Sequence, residues 1–393
     1  MIIVGQVKTE IRIGMIGYQF MGKAHSHAYR DIPFFFSTKA KPILKALCGR
    51  NKEAVEEAAE TMGWESVETD WRELIKRDDI DVIDIVTPNH THAEIAIAAA
   101  KAGKHIITEK PLALTVEEAK EMKEAVEQHQ VIHMICHNYR FVPAIQYTRQ
   151  LIDQGRLGKI FHFRANYLQD FIIDPNFPLI WRLKKEVSGS GSLGDIGAHS
   201  IDLARFLVGE MDEVVAMTET FIKERPLGEM SGGLKAEANS QELGEVTVDD
   251  AVAFMVRFDS GTFGTFEATR FATGNRNRNT FEINGEKGSV RWDMENMNHL
   301  DVYFTDDEKG TQGFRRVLCT EEEHPYAEAY WPAGHIIGYE HTFIHLLYEF
   351  CESIINKKQA KPDFHDGYQN QLILDAIQKS ATHKRWEKIP KAD

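Results

Sequence analysis

The segment Gly14-Met-Ile-Gly17-Tyr-Gln19-Phe20-Met21-Gly22 has glycines spaced to cradle a phosphate ester. A dinucleotide fingerprint needs one glycine for a tight turn, one for close approach of the pyrophosphate and one for strand–helix packing. Gly17 and Gly22 take the first and third places, and Gln19 stands in the second. Phe20 and Met21 belong to the same loop. The helix expected after it offers N–H groups and a dipole to the pyrophosphate. The competing reading is an ordinary glycine-containing turn. Further on, Cys48-Gly49-Arg50-Asn51 lacks the acid that binds the ribose 2′-hydroxyl of NAD. Arg50 there leans towards NADP; otherwise it stacks on adenine or faces solvent.

A second constellation has acid–base character. Asp195 and His199 are four residues apart, so both fall on one face of a helix. A carboxylate there can orient a hydroxyl and an imidazole, and histidine titrates near neutrality. The rival is a helix cap beside a surface histidine. Lys110 stands at the carboxyl end of an apolar run, where open α/β sheets place ligands, and Pro111 biases it away from helical geometry. Tyr167 and Gln169 share one face of the alternating stretch 159–169; an aromatic and an amide suit a polyol, or packing and subunit contact. Asn138-Tyr139-Arg140 ends a strand where the pattern changes, which puts Asn138 and Arg140 within reach of cofactor or substrate. Asn275-Arg-Asn-Arg278 is a basic loop near the site or a solvated one. The pairs His25/His27 and His90/His92 have no carboxylates at ligand spacing, so no metal is expected. His92 reads as helix-start packing beside the dinucleotide.

The elements that must position these residues follow from periodicity. Strand runs at 11–16, 42–48, 82–86, 105–107 and 131–136 alternate with helical patterns, including 52–62, 93–102 and 115–128. That alternation predicts an α/β fold, a Rossmann doubly wound parallel sheet, over residues 1–137. Residues 138–393 carry a helix at 142–154 and then strand runs at 159–169, 213–221, 248–258, 262–268, 280–284, 289–292 and 301–304. They predict an α+β domain with a large, mostly antiparallel sheet. The stretch 228–244, rich in Gly, Ser, Glu and Ala, reads as a surface loop, and 336–355 and 366–382 as helices. One sheet face serves the domain's own helices. Aromatic and apolar residues such as Phe161, Phe163, Tyr167 and Leu168 favour cover of the other by a second subunit.

Composition narrows the class. Hydrophobic residues at 42% and charged residues at 27% describe an ordinary globular chain. With 46 basic and 60 acidic residues the formal charge is −14, which disfavours nucleic acid and anionic membranes and leaves a small molecule as partner. Four scattered cysteines without ligand spacing suggest reduced thiols in a cytoplasm. The first residues lack the basic and apolar regions of a signal peptide, and no run of about 18 apolar residues is present.

Three motifs in order complete the picture: Thr87-Pro88-Asn89-His90-Thr91-His92, Glu109-Lys110-Pro111, and Gly189-Ser-Gly-Ser-Leu-Gly-Asp195-Ile-Gly-Ala-His199-Ser-Ile-Asp202. Together with the glycine loop they resemble the Gfo/Idh/MocA oxidoreductases, the glucose–fructose oxidoreductase and inositol dehydrogenase family. The resemblance covers nearly the whole chain. Residues 22–26, Asp70-Trp71, Tyr167-Leu-Gln-Asp170 and Trp331-Pro332 are most similar to members acting on an anhydrosugar. It implies an NAD(P)-dependent dehydrogenase moving a hydride between a sugar, anhydrosugar or cyclitol and the nicotinamide. Other chemistry on the fold and a non-catalytic sensor are the alternatives. Lys110, Asp195 and His199 are implied as catalytic and as substrate contacts, with Lys110 stabilising the alkoxide and His199 receiving the proton. Thr87, Pro88, Asn89, His92 and Glu109 are implied near the cofactor, as is the pair Trp181-Arg182. Homodimers or homotetramers are implied as well.

Overall fold

A computed structural model describes residues 8–232 and 235–392. It divides into two compact units. The first holds the chain up to Asn138 together with Tyr339–Tyr368; the second holds Tyr139–Gly338 and the residues from Gln369 on. The expected division into 1–137 and 138–393 is therefore corrected: one C-terminal segment returns to the first unit. Periodicity reveals that this segment is helical and amphipathic, but not which surface its apolar face covers.

The first unit is a six-stranded parallel sheet. Its strands are β1 (Thr9–Ile16), β2 (Ala40–Cys48), β3 (Val67–Glu68), β4 (Val82–Ile85), β5 (His105–Thr108) and β6 (His133–Ile135), in the order β3-β2-β1-β4-β5-β6. The helices between them are α1 (Phe20–Phe35), α2 (Lys52–Met62), α3 (Trp71–Lys76), α4 (His92–Lys101) and α5 (Val116–Gln128). All four residues of β4 are buried, as cover on both faces requires. Asn51 caps α2 by accepting from the Ala54 amide at 3.1 Å, and Thr115 caps α5 through the Glu118 amide at 3.1 Å. The short β3 and α3 escape a periodicity argument, although Asp70 accepts from the Arg72 amide at 2.9 Å as a normal cap.

The second unit is built on nine strands in the order β16-β15-β14-β13-β7-β12-β11-β8-β17. They are β7 (Ile160–Leu168), β8 (Met211–Glu219), β11 (Ala251–Phe258), β12 (Phe263–Thr269), β13 (Arg278–Gly285), β14 (Gly288–Asp293), β15 (His299–Phe304), β16 (Arg315–Leu318) and β17 (Glu387–Lys388). Only β7 and β12 pair in parallel. A separate ribbon pairs β9 (Glu224–Gly232) with β10 (Lys235–Glu245). The expected loop at 228–244 is thus a hairpin; positions 233 and 234 lie outside the described residues. Almost all of β10 is exposed, so no apolar alternation marks it as strand. Helices α6 (Pro143–Asp153), α7 (Lys185–Ser188) and α8 (Ala198–Val208) complete this unit. Towards the C-terminus lie α9 (Tyr339–Asn356), which belongs to the first unit, and α10 (Phe364–His383), within which the unit boundary falls.

Along β7, Phe163, Ala165 and Tyr167 are buried, while His162 and Arg164 are exposed. Phe161, Phe163 and Tyr167 share one parity, so they give no apolar signal on the opposite face. That face instead carries ion pairs between neighbouring strands: Arg291 with Glu282 at 2.8 Å, and Arg316 with Asp301 at 2.9 Å.

Candidate active site

In the first unit, the loop between β1 and α1 has the form a pyrophosphate requires. Gly17 has φ of 108°, and a Cβ there would lie 2.8 Å from the Val86 carbonyl oxygen. A Cβ on Gly22 would lie 2.6 Å from the Gly17 carbonyl oxygen, so only glycine lets α1 close on the turn. Gln19 stands at the N-cap of α1 without a side-chain cap bond, and the first turn, opened by Phe20 and Met21, holds no acid. These N–H groups and the positive helix end suit an anion. At the end of β2, a Cβ on Gly49 would fall 2.2 Å from Cε1 of Tyr18. The tyrosine ring thus takes the space of an acidic selector, and Arg50 beside it is exposed.

The turn after β4 comes to the same carboxyl end of the sheet, with the Val86 carbonyl against Gly17. Thr87 and Thr91 hydroxyls are 2.6 Å apart, and the Thr91 hydroxyl donates to the Pro88 carbonyl at 2.8 Å. Asn89 opens this single turn of 3₁₀-helix. His92 is buried at the start of α4, with Nε2 2.9 Å from the Thr87 carbonyl and Nδ1 3.0 Å from that of Pro111. Burial lowers its pKa despite those two carbonyls. His92 thereby ties the Thr87–His92 turn to the peptide that follows Lys110, and the Lys110–Pro111 bond is cis. Asn138 is buried and donates to the Thr342 hydroxyl at 2.8 Å.

Beneath Lys110 lies a buried polar cluster. His25 Nδ1 is 2.9 Å from Asp84, and Nε2 is 3.2 Å from Glu109. Cys136 Sγ lies 3.6 Å from the same Nε2. The second Glu109 oxygen accepts from the Lys110 amide at 3.2 Å. Sequence spacing missed these carboxylates because Asp84 and Glu109 come from other strands. His25, Glu109 and Cys136 are of ligand type, with ligand atoms within 4.8 Å of one another. These three side chains contact one another directly, with Nε2 of His25 between Glu109 and Cys136.

The second unit holds Asp195 and His199. Asp195 sits in a π turn, Leu193–Gly197, that runs into α8, rather than in regular α-helix. π turns recur at functional positions. The start of this turn is fixed by Asp249, whose carboxylate accepts from Gly191 N at 2.8 Å, Ser192 Oγ at 2.7 Å and Leu193 N at 2.8 Å. The His199 ring is 4.5 Å from that of Tyr139 and 5.9 Å from that of Tyr167. The two tyrosine hydroxyls are 2.8 Å apart. Tyr167 donates to Asn277 Oδ1 at 2.7 Å, as does Gln169 Nε2 at 2.9 Å. A chain of hydroxyls and amides therefore runs beside the imidazole, apt for a polyhydroxy ligand. Sequence reasoning picked out Tyr167 and Gln169 but gave no role to Tyr139 and left Asn277 in an undecided loop. Only the strand register of β7 and β13 brings Asn277 to them.

Arg140 is bidentate to Asp202 of α8, at 2.7 and 2.6 Å, so it clamps that helix. The Arg182 guanidinium lies 4.4 Å over the Trp181 ring in a single 3₁₀ turn.

Comparison with known proteins adds a second line. Residues 11–137 match the model described as an oxidoreductase family with NAD-binding Rossmann fold, and residues 145–291 that of the GFO/IDH/MocA C-terminal domain. A levoglucosan dehydrogenase of Pseudarthrobacter phenanthrenivorans is 47% identical over 386 residues, 97% of this chain and 98% of the relative. A myo-inositol 2-dehydrogenase of Thermotoga maritima is 26% identical over 380 residues, 96% of this chain and 98% of the relative. A solved levoglucosan dehydrogenase in complex with NADH and levoglucosan superposes with a TM-score of 0.93 at 46% identity, covering 98% of this chain and all of that one.

Proposed function

The chain belongs to the GFO/IDH/MocA oxidoreductase family, and from that premise we propose an NAD-dependent dehydrogenase that oxidises a secondary alcohol of a levoglucosan-like anhydrosugar. The observation that carries this reading is the full-length similarity to levoglucosan dehydrogenase, in sequence and in fold. Inositols and simple sugars are the neighbouring substrate classes. NAD supplies the hydride acceptor. Gly17, Gly22 and the N-terminus of α1 would hold its pyrophosphate, a fit supported by the missing Cβ atoms and the acid-free first turn.

The chain's own residues then divide the remaining work. His199 receives the proton of the substrate hydroxyl. Asp195 accepts a hydrogen bond from an adjacent substrate hydroxyl and stabilises the imidazole once it carries the proton. The Lys110 ammonium stabilises negative charge as it develops on the alcohol oxygen. Tyr167 and Gln169 orient the other hydroxyls. No acid faces the cofactor's 2′ position from residue 49, which supports tolerance of NADP beside NAD.

We further propose a cytoplasmic homodimer or homotetramer. Four buried cysteines without a disulfide fit a reducing compartment, and no helix among the described residues is long and apolar enough to cross a membrane. Family membership, and not an apolar outer face, supports assembly, which light scattering reads. The deciding experiment follows reduced-cofactor absorbance with levoglucosan, myo- and scyllo-inositol, glucose and xylose, with NAD and with NADP. Levoglucosan should be oxidised best with NAD; no turnover on any of them would sink the reading.

A further inference from the structure

Arg270 follows β12 and its side chain is completely buried. A guanidinium stays charged at every pH a protein survives, so its burial must be matched by an anion. One terminal nitrogen donates to the Asp249 carbonyl at 3.1 Å. Nε and the other terminal nitrogen, Nη1, make no hydrogen bond among the described residues. Nη1 instead faces Asp195, 3.6 Å from Oδ2.

The surrounding charges leave this carboxylate as the needed partner. A second arginine, Arg225, is also fully buried and donates to the carbonyls of Ile172, Asp174 and Phe177. Asp250, which both arginines influence, is buried and accepts from the amides of Phe221 and Ile222. The Asp249 carboxylate is engaged at the start of the π turn. Both buried cations feel Asp250, and Arg270 Nη1 in addition faces the Asp195 carboxylate at 3.6 Å. His199 lies one turn further on, among the rings of Tyr139 and Tyr167.

We propose that Arg270 is the resident counter-ion of Asp195, a positioning residue that keeps this carboxylate ionised and aimed so that it acts as an acceptor and not as a proton donor. The kinetic part rests on the dehydrogenase reading; the stability part does not.

Asp195→Asn keeps the shape and removes the charge, leaving Arg270 uncompensated. It should lower the melting temperature by several degrees, and adding Arg270→Gln, which removes the stranded charge, should recover part of that loss. An Asp195→Asn protein as stable as the wild type would overturn the proposal. Arg270→Gln should lower kcat on levoglucosan by about 10²-fold or more while leaving NADH affinity unchanged. Its acid limb in the kcat/KM profile should move up by about one pH unit, because an opposite charge within reach depresses a carboxyl. Arg270→Lys keeps the charge and should keep the limb in place. A limb that stays put in Arg270→Gln, with only the amplitude reduced, would mark Arg270 as purely structural. Should that variant fail to fold, the Asp195→Asn melting temperature decides. If the wild type itself oxidises no sugar, the dehydrogenase reading fails while the melting experiment still tests the counter-ion.

Discussion

Asp84 Oδ2 lies 2.9 Å from His25 Nδ1, and neither side chain reaches solvent. Burial opposes the charged ring, but Asp84 outweighs it and the His25 pKa is raised well above its usual value. Burial likewise works against the Glu109 carboxylate, yet the His25 hydrogen bond holds its pKa below the usual range. The raised histidine contributes fully below its unfolded pKa of about 6.5, and that contribution is lost as pH rises through the native value. The depressed Glu109 contributes above about pH 4.3 and is lost as pH falls through its native value. Removing one partner of a buried pair costs about 3–5 kcal/mol. His25→Gln should therefore cost that much near pH 6, with the gap to wild type narrowing in alkaline solution. Urea unfolding across that range measures it, and a gap that widens with pH would refute the assignment.

Gly22→Ala places a methyl 2.6 Å from the Gly17 carbonyl, a backbone atom that cannot step aside cheaply. Overpacking of this kind costs about 1–3 kcal/mol. NADH affinity should drop with it, by tenfold or so for each 1.4 kcal/mol felt at the cofactor loop. Fluorescence titration reads the change, and an unaltered affinity would remove Gly22 from the cofactor site.

Lys110→Met keeps length and loses charge; His199→Ala loses the proton acceptor. Each should slow turnover by about 10²–10⁴-fold. The pH dependence of kcat/KM should lose a group near neutrality in His199→Ala alone. Wild-type turnover with an unchanged profile in that variant would pass the proton to another residue.

Cofactor choice should respond to Tyr18 and Gly49. Wild-type Kd values for NAD and NADP should differ by less than about 100-fold, or about 2.7 kcal/mol. Gly49→Asp must displace the tyrosine ring and should weaken both cofactors. With Tyr18→Ala added, the acid gains room, so NAD binding should recover and NADP should not. Equal recovery of the two would show that residue 49 does not face the 2′ position.

Much of the first unit was legible because a parallel sheet writes itself as repeated apolar runs between helical patterns. Its helices α2 and α5 fall at the expected residues, since Asn51, Gly63 and Thr115 mark their ends. The glycine loop was legible for the same reason: it sits at a fixed place between β1 and α1. The hairpin of β9 and β10 was not, because β10 is exposed along almost its whole length and has no buried parity to display. Nor were Arg270 and Asn277. Asn277 meets Tyr167 through the register of β13 on β7, and Arg270 meets Asp195 where the π turn packs on the end of β12, contacts between segments about 110 and 75 residues apart in the chain. The carboxylates around His25 stayed hidden because three separate strands supply Asp84, Glu109 and Cys136 to one imidazole.

The return of α9 to the first unit sets an order of events during synthesis. The Phe343 ring lies 5.5 Å from that of His25, Phe36 stacks on Tyr348 at 4.2 Å, and the Ile135 amide donates to the Pro362 carbonyl at 3.0 Å. When residue 138 is added to the growing chain, the parallel sheet is complete in sequence, yet one wall of its core is still some 200 residues from being translated. The nascent first unit must wait, with the His25 side of α1 uncovered, until the whole of the second sheet has been made. A chain stopped at residue 338 would contain every strand of the nucleotide-binding sheet and still lack the helix that closes it.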